Sequence, residues 1–434
     1  MMRRFARDAV LYSLPTLLAR AVGILLLPIY ARHLGPADLG FMEYVAAISV
    51  FALLIVPLEI KQAMARLLPE SDNPSRQKSI IYSTIAFTLW AFIAVSVVTY
   101  FAREELFRIA RLQPHYLPYT ISVLVYLTTL ACVSTLQTQF RFLQNAVAAV
   151  TMNITIIVLN LGTIIILSLN GLTIGEYFFS QIASNLAGVA LALFFLSRMF
   201  GMLWVMPNPE VTREMLRYSL PIVISSFGVA VSLGLDRILV GGYAGLVQLG
   251  FYGVAAKFGS IAAMAFVVAS SAMTPIVYRS HETEATRILV ARLFHLTITL
   301  CIVIMIILTL FANKLVELLA GPMFVEAGKY VFFIVLSTTI SNLYIFFMGI
   351  DIAKNTSLIS KINLTMGIFS AVISLSLIPY YGVWGAIISA TAAAVIRLGL
   401  YIYFSQRIYR LKVVLSVPFL IIGALTVVNI VRLS

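Results

Sequence analysis

Apolar stretches long enough to cross a lipid bilayer recur along the whole of this 434-residue chain. An α-helix needs about 20 mostly apolar residues to cross the hydrocarbon core. Hydrophobic residues make up 61% of the chain and charged residues only 11%, whereas soluble domains have about 45–50% and about 25%. We therefore expect an all-α polytopic membrane protein in which no stretch is left over for a soluble domain.

The apolar stretches predict twelve helices, six in each half of the chain. The N-terminal basic residues precede an apolar run that contains Arg20 and has no clear small-x-small cleavage site, so we interpret it as the first spanning helix and not as a secretory signal. The predicted helices cover residues 9–32, 39–62, 80–101, 117–138, 147–169, 175–197, 218–242, 249–275, 290–312, 330–350, 360–379 and 383–405.

The two halves of the chain share short motifs in the same order. Tyr12-Ser13-Leu14-Pro15 and Leu39-Gly40-Phe41 in the first half correspond to Tyr218-Ser219-Leu220-Pro221 and Leu249-Gly250-Phe251 in the second. An even number of helices per copy makes the repeats run in the same direction. Because a cleft between two related bundles is a natural substrate site in the middle of a membrane, this pattern indicates a transporter.

The repeat predicts two six-helix lobes that are related by an axis along the membrane normal. The lobes would cover residues 1–199 and 218–412, with a cytoplasmic linker at 200–217. An additional hydrophobic segment covers residues 413–434, and it contains Pro418. This segment fits either a thirteenth spanning helix or a re-entrant or interfacial segment.

The basic residues between the predicted helices fall mostly on one side of the membrane. Cytoplasmic loops carry an excess of lysine and arginine, so this bias places the N-terminus of a multi-pass inner-membrane protein in the cytoplasm. It also accounts for most of the net charge of +13, which in a soluble chain would suggest nucleic acid. We expect no nucleic-acid partner.

Four basic residues, Arg20, Arg237, Lys257 and Arg397, lie inside predicted helices and away from their ends. A charge at the centre of a bilayer costs about 2.5 to 3.5 kcal/mol on insertion scales, so such residues should face protein or a watery cavity. Arg20 lies roughly 12 residues, or ~18 Å, into its helix. Arg397 is close enough to the cytoplasmic end to reach water by extending its side chain. A cavity lined by basic side chains predicts an anionic substrate, and arginine in particular suits phosphate.

Two acidic residues, Asp236 and Glu43, are placed to meet this cationic group. Asp236 and Lys257 have matching depth in the predicted seventh and eighth helices, and Glu43 is placed to meet Arg32 across the first hairpin. The two acids are candidates for coupling to a proton or sodium gradient. The alternative is that both pairs are structural and that the substrate gradient drives the protein.

The sequence contains no pattern that points to a cofactor, a metal or catalysis. The two cysteines, Cys132 and Cys301, are far apart within apolar stretches, and the four histidines have no ligand spacing. No P-loop of the form GxxxxGK[ST] occurs. We therefore expect a protein that is not an enzyme and has neither metal nor cofactor.

Several motifs together resemble those of the polysaccharide biosynthesis flippases, the oligosaccharidyl-lipid branch of the multidrug and polysaccharide exporter superfamily. They lie in order across nearly the whole chain, and their joint spacing is more specific than any one of them. They are YSLP, LLLPIYARHLGPADLG at 25–40, Glu43-Tyr44, Asp236-Arg237, Gly250, Tyr252, Ala255-Ala256-Lys257, Pro379, Tyr381-Gly382 and Gly385-Ala386.

This resemblance implies a two-lobe helical bundle in a V shape like that of multidrug and toxic compound extrusion proteins. It also implies a flippase that moves a polyprenyl-(pyro)phosphate-linked oligosaccharide from the inner to the outer leaflet by alternating access, for cell-surface polysaccharide synthesis. Its partners would be that lipid, membrane lipid, a coupling ion and polysaccharide assembly proteins. The cavity charges of the family would correspond to Arg20, Arg237 and Lys257, and less securely to Arg397. The alternatives are an ion-coupled drug exporter, which would be expected to present acidic cavity residues, and a non-transporting scaffold of polysaccharide assembly.

Overall fold

Every regular element that the structure describes is helical. The structure is a computed structural model, and it describes residues 15, 17–71, 73–201, 207–411, 413 and 416–433, among which no strand occurs. Eleven helical segments within these ranges are long and apolar enough to cross a membrane. The predicted fold class, an all-α polytopic membrane protein, is confirmed.

The helices of the first half are named α1 to α8. Helix α1 comprises the helical residues 17–25 and, after a turn at Leu26, Leu27–His33. A 3₁₀ turn at Pro114–Tyr119 leads into α6. The others are α2 Pro36–Ile55, α3 Ile60–Leu67, α4 Pro74–Phe101, α5 Arg103–Ile109, α6 Thr120–Phe142, α7 Ala146–Ser168 and α8 Ile174–Phe200.

The helices of the second half are named α9 to α16. Helix α12 follows a 3₁₀ turn at Pro322–Ala327, and a second 3₁₀ turn at Leu343–Phe346 separates it from the short α13. They are α9 Pro209–Tyr243, α10 Leu246–Ser280, α11 Glu284–Ala320, α12 Gly328–Asn342, α13 Gly349–Ile352, α14 Thr356–Tyr381, α15 Val383–Ile408 and α16 Ser416–Leu433.

Two of the predicted helices are interrupted. The predicted helix 39–62 breaks between α2 and α3, where Leu58 and Glu59 have φ angles of 48° and 53°. This left-handed conformation cannot continue an α-helix and costs roughly 1–2 kcal/mol for each residue other than glycine. The predicted helix 330–350 breaks after Asn342. The segment whose topology the sequence left open forms α16, a helix of 18 residues.

Polar residues and glycines mark where many helices begin and end. Thr173 and Glu176 form a reciprocal capping box at the start of α8, which satisfies two backbone donors that a helix start leaves without partners. Gly245 and Gly382 have φ angles of 88° and 54° between successive helices. These positive φ angles favour glycine, because a side chain would clash with the backbone there.

The chain divides into two compact units. The first unit comprises the described residues up to Glu43 together with those from Leu239 onward, and the second comprises Tyr44–Ile238. The boundaries therefore fall inside α2 and α9. The lobes at 1–199 and 218–412 that the repeat predicts stay a prediction.

The second unit has a core with polar side chains. Its helix α6 packs on α4 and α8, and α8 packs on α7. Asn160 on α7 donates hydrogen bonds to Gln181 Oε1 at 3.0 Å and to Ser180 Oγ at 3.2 Å. Between helices, side-chain hydrogen bonds of this kind contribute about 0.6 kcal/mol each. They therefore help to fix the relative position of α7 and α8, whose contact is otherwise mainly apolar.

The first unit is built around the long helices α10, α11, α12 and α15. Helix α12 packs on the other three, α14 packs on α15, and α1 and α16 both pack on α11. Asn429 on α16 donates a hydrogen bond to Thr309 Oγ1 at 2.9 Å, and Arg432 donates to the Thr309 carbonyl. These bonds fix α16 along the apolar surface of α11.

Candidate functional site

Two glycines let the first turns of α2 and α10 meet at backbone distance within the first unit. A Cβ atom built on Gly40 would lie 1.8 Å from the carbonyl oxygen of Leu246, and one built on Gly250 would lie 2.0 Å from that of Pro36. No side chain fits at such distances. We call this the glycine contact.

The glycine contact is reciprocal. Each glycine lies one turn after the first residue of its own helix, Pro36 for α2 and Leu246 for α10, and contacts the first residue of the other. The glycines are also the central residues of Leu39-Gly40-Phe41 and Leu249-Gly250-Phe251. This local symmetry agrees with the internal repeat that the sequence predicts.

An ion pair joins the two helices beyond the glycine contact, between Glu43, one turn after Gly40, and Lys257, two turns after Gly250. Glu43 Oε1 lies 3.0 Å from Lys257 Nζ, and the side chains are 11% and 37% exposed, respectively. Gly253 makes room for it, because a Cβ on that residue would lie 2.5 Å from Glu43 Cγ. The glutamate is therefore held nearly buried, while the lysine side chain stays partly accessible.

This ion pair corrects the pairing that the sequence predicted. Glu43 pairs with Lys257 and not with Arg32, which is exposed. Lys257, which the matched helix depths assigned to Asp236, has its ion-pair contact with Glu43. The reason is the glycine contact, which brings α2 against the face of α10 that carries Gly253 and Lys257.

Arg20 lies on α1 in the first unit with a half-buried side chain. Its Nη1 atom is buried and has no hydrogen-bond partner among the described residues. A buried cationic donor without a partner costs more than a typical neutral group, for which the penalty is about 1–3 kcal/mol. An anion that accepts this hydrogen bond would remove the penalty.

Arg397 has its partners within the protein. It donates to Ser341 O at 2.6 Å and to Ser341 Oγ at 2.7 Å, and its guanidinium lies 4.7 Å from the centre of the Tyr344 ring. Ser341 belongs to the last turn of α12, whose carbonyl groups have no helical partner. The arginine thus stabilises the interruption after α12, and its role in substrate binding stays a prediction.

The remaining predicted residues, Asp236 and Arg237, belong to the second unit. They are consecutive residues of α9, and both are half-buried. The structure brings together Glu43 and Lys257 among the predicted site residues of the first unit. The Nη1 donor of Arg20 has no hydrogen-bond partner among the described residues. Arg397 donates hydrogen bonds to Ser341 of α12.

The sequence analysis missed Glu59, a buried acid in the break between α2 and α3. Glu59 is 1% exposed, and its Oε2 atom is buried without a hydrogen-bond partner among the described residues. Nearby, Lys61 Nζ donates to Leu53 O at 3.3 Å, at the end of α2. Burial lowers the pKa of Lys61, and the charge of Glu59 opposes this shift. The sequence signal was Pro57, which lies within the predicted helix 39–62.

Neither the cysteines nor the acidic residues form a metal site in the described part of the chain. Cys301 is buried and Cys132 half-buried, and both are free thiols. The described residues contain no group of three or more histidine, cysteine, aspartate or glutamate side chains that could hold a metal ion.

We expect the Glu43–Lys257 pair to show strong coupling in a double-mutant cycle. Lys257→Gln leaves a nearly buried carboxylate without its ammonium partner, so it should lower the free energy of unfolding by about 1–3 kcal/mol. The double variant Glu43→Gln/Lys257→Gln should be milder than the sum of the single variants by about 0.5–3 kcal/mol. The measurement is unfolding of the four purified proteins in one detergent.

The control is the exposed pair Arg66–Glu70, with side chains 61% and 51% exposed. A cycle of Arg66→Gln and Glu70→Gln should give at most about 1 kcal/mol of coupling. Additive effects in the Glu43–Lys257 cycle would contradict a structural contribution of this pair.

Comparison with known proteins shows which family the chain belongs to. The family model for polysaccharide biosynthesis proteins matches residues 5–281, well over half of the chain. The chain belongs to the polysaccharide biosynthesis protein family. Among curated proteins, no sequence matches this family member.

Solved structures share the fold of this polysaccharide biosynthesis protein. A lipid II flippase MurJ in an inward closed conformation is 13% identical, with a TM-score of 0.72 over 97% of this chain and 92% of that one. An inward-facing multidrug resistance transporter of the MATE family is 16% identical, with a TM-score of 0.64 over 94% and 99%. A transporter of the MOP superfamily from Pyrococcus furiosus, described as having a binding pocket of reverse polarity, is 14% identical, with a TM-score of 0.56 over 94% and 97%.

Proposed function

We propose that this protein is a flippase that moves a polyprenyl-(pyro)phosphate-linked oligosaccharide from the inner to the outer leaflet of the cytoplasmic membrane by alternating access. The family match supports a role in polysaccharide biosynthesis. The fold is shared with a lipid II flippase and with MATE transporters, so transport across the membrane fits it. Each of these solved structures is at most 16% identical to this chain. The phosphate of the substrate is inferred from this chain's own charges, and the lipid-linked oligosaccharide is inferred from the family.

The class of substrate is inferred mainly from Arg20. It is a half-buried cation on α1, and its buried Nη1 donor has no hydrogen-bond partner among the described residues. A phosphate group supplies the missing acceptor, and its charge compensates the cation. In this proposal Arg20 binds the phosphate of the lipid, while the hydrocarbon tail stays in the bilayer.

Lys257 is the second phosphate ligand in this proposal. Its side chain is 37% exposed although it is paired with Glu43, so an anion can approach it without dismantling the helix contact. Arg237 and Arg397 are further candidates for binding the phosphate. Arg397 has fewer donors available for it, because it already donates hydrogen bonds to Ser341. We propose a transport role without catalysis.

The test is transfer of a labelled polyprenyl-pyrophosphate-linked oligosaccharide across vesicles that contain the purified protein. We expect the glycan to become accessible, in a protein-dependent manner, to an impermeant glycosidase outside the vesicle. Vesicles without protein and vesicles with a labelled phosphatidylcholine are the controls. A protein that exports cationic dyes but leaves the oligosaccharide lipid in place would be a drug exporter, and a protein that moves neither would fit a scaffold.

We propose that Glu43 couples transport to an ion gradient. When the substrate phosphate engages Lys257, the nearly buried Glu43 loses its ion pair with this lysine and takes up a proton or sodium ion. Asp236 is the second candidate, in the second unit. We expect an imposed proton or sodium gradient to change the flipping rate in the same vesicles and Glu43→Gln to remove this response. A wild-type rate that is indifferent to both gradients would refute the coupling and leave the flippase proposal intact.

A further inference from the structure

A long apolar groove runs along the first unit between α12, α15 and α16. Its volume is about 970 Å³. On α15 the groove is lined by side chains spaced three or four residues apart, so they form one helical face. The lining includes Trp384, Ile388, Val395, Phe333 and Ile430. Ile388 and Val395 are 49% and 51% exposed, so the groove is open to the membrane along its side.

One end of the groove adjoins a smaller cavity that is lined by basic and polar side chains. This cavity has a volume of about 350 Å³ and shares Lys329 and Phe333 with the groove. Three basic side chains from three helices line it, Lys314 of α11, Lys329 of α12 and Arg432 of α16. Two asparagines, Asn313 and Asn429, line it as well. We call it the basic cup.

The charge of the basic cup is only partly compensated within the protein. Lys329 forms an ion pair with Glu326, and Arg432 donates one hydrogen bond to the Thr309 carbonyl, which is neutral. The three basic groups and the one paired acid leave the cup cationic. An apolar groove that ends in a cationic, hydrogen-bonding cup is complementary to a molecule with hydrocarbon chains and an anionic head.

The length of the groove indicates which such molecule fits. From Trp384 to Ile396 the groove follows α15 for three turns, or ~18 Å. One leaflet contributes half of the hydrocarbon core of about 30 Å, so the groove spans about one leaflet. Acyl chains of a glycerophospholipid have this reach, whereas a polyprenyl chain is much longer.

We propose that the groove and the basic cup form a binding site for an anionic glycerophospholipid. Its phosphate contacts Lys314, Lys329 and Arg432, and its acyl chains lie along α15 and α16. With the orientation that the charge bias predicts, the cup faces the outer leaflet. The bound lipid fills the space between α16 and α15 and thereby holds the last helix on the unit.

The experiment measures retention of lipid by the purified protein in a mild detergent. Delipidated protein is titrated with phosphatidylglycerol, phosphatidylcholine or polyprenyl phosphate, and native mass spectrometry counts the bound molecules. We expect one tightly held phosphatidylglycerol per chain and weaker binding of phosphatidylcholine. Tighter binding of polyprenyl phosphate than of phosphatidylglycerol, or equal retention of all three lipids, would overturn the proposal.

Two variants test the two parts of the site separately. Val395→Trp fills the groove, and its matched control is Val97→Trp, because Val97 is 52% exposed in an apolar groove of the second unit. We expect Val395→Trp to lose phosphatidylglycerol retention and Val97→Trp to keep it. Equal retention by both variants would refute a site in this groove.

Lys314→Gln tests the basic cup. It should weaken phosphatidylglycerol binding about fivefold and leave phosphatidylcholine binding nearly unchanged, as expected for the loss of one basic residue at an anionic lipid. Its control is Arg108→Gln, which removes an exposed arginine paired with Glu105. An unfolding curve in detergent verifies that each variant is folded. Lipid retention is measured without flipping, so its outcome is independent of the proposed function.

Discussion

Arg20→Ala is expected to insert and fold normally and to lose most of the flipping activity. The alanine removes the hydrogen bond that Arg20 would donate to the phosphate. Hydrogen bonds to charged groups contribute about 1.5–3 kcal/mol. If this contact is stronger in the transition state than in the resting complex, the rate falls roughly 10- to 150-fold. Folding should be unaffected or improved, because the change removes a buried donor that has no partner among the described residues. The measurement is the initial rate of oligosaccharide-lipid transfer in vesicles, at matched protein content.

Two further variants separate charge from geometry at this position. Arg20→Lys should retain part of the activity, because lysine keeps the charge but lacks the planar fork that binds phosphate through two hydrogen bonds. The matched control is Arg32→Ala on the same helix, since Arg32 is exposed and should tolerate the change. Full flipping by a normally folded Arg20→Ala protein would refute a substrate contact by this residue.

The fold class could be predicted from the sequence because hydrophobic length is a direct physical requirement for crossing a bilayer. Helices α7, α8 and α15 begin within one residue of the predicted starts at 147, 175 and 383. Other helices are longer than predicted. Helix α11 begins at Glu284 and ends at Ala320, whereas 290–312 was predicted, because hydropathy marks the apolar part of a helix and not the polar turns beyond it.

The interruptions could not be predicted from hydropathy, because the broken segments are as apolar as continuous ones. Pro57 lies just before the two left-handed residues, Leu58 and Glu59, but proline alone is compatible with a kinked helix. The second interruption, after Asn342, depends on a partner distant in sequence. Arg397 supplies hydrogen bonds to Ser341, and no local pattern around residue 342 indicates this contact.

For the candidate site, the sequence analysis assigned the wrong ion-pair partners to Glu43 and Lys257. Depth along neighbouring helices suggested Asp236 for Lys257 and Arg32 for Glu43. The observed Glu43–Lys257 pair depends on two helices that are distant in sequence and meet at the glycine contact. Helix depth is a one-dimensional quantity, and it does not determine which faces of two helices touch.

We expect alanine at Gly40 or Gly250 to destabilise the first unit strongly. The new Cβ atom would lie 1.8 or 2.0 Å from a backbone carbonyl oxygen of the other helix, and a backbone atom cannot move aside as a flexible side chain can. The helices must separate, and overpacking of this kind costs about 1–3 kcal/mol. Alanine also favours the helix by up to about 1 kcal/mol, so valine at either position should show the clash more fully. The measurement is the free energy of unfolding in detergent.

The double variant Gly40→Ala/Gly250→Ala distinguishes a shared contact from two independent clashes. Both glycines lie at one helix crossing, so the separation forced by the first alanine makes room for the second. The double variant should therefore lose less free energy of unfolding than the sum of the losses in the two single variants. Gly399→Ala in α15 is the control, because nothing lies within 4 Å of the position of its Cβ atom, and alanine there should be neutral or stabilising. The separation would also draw Glu43 away from Lys257, so Lys257→Gln should cost less in the Gly40→Ala background than in the wild type. Additive losses, or a Gly40→Ala protein as stable as Gly399→Ala, would show that the first turns of α2 and α10 do not meet in the folded protein.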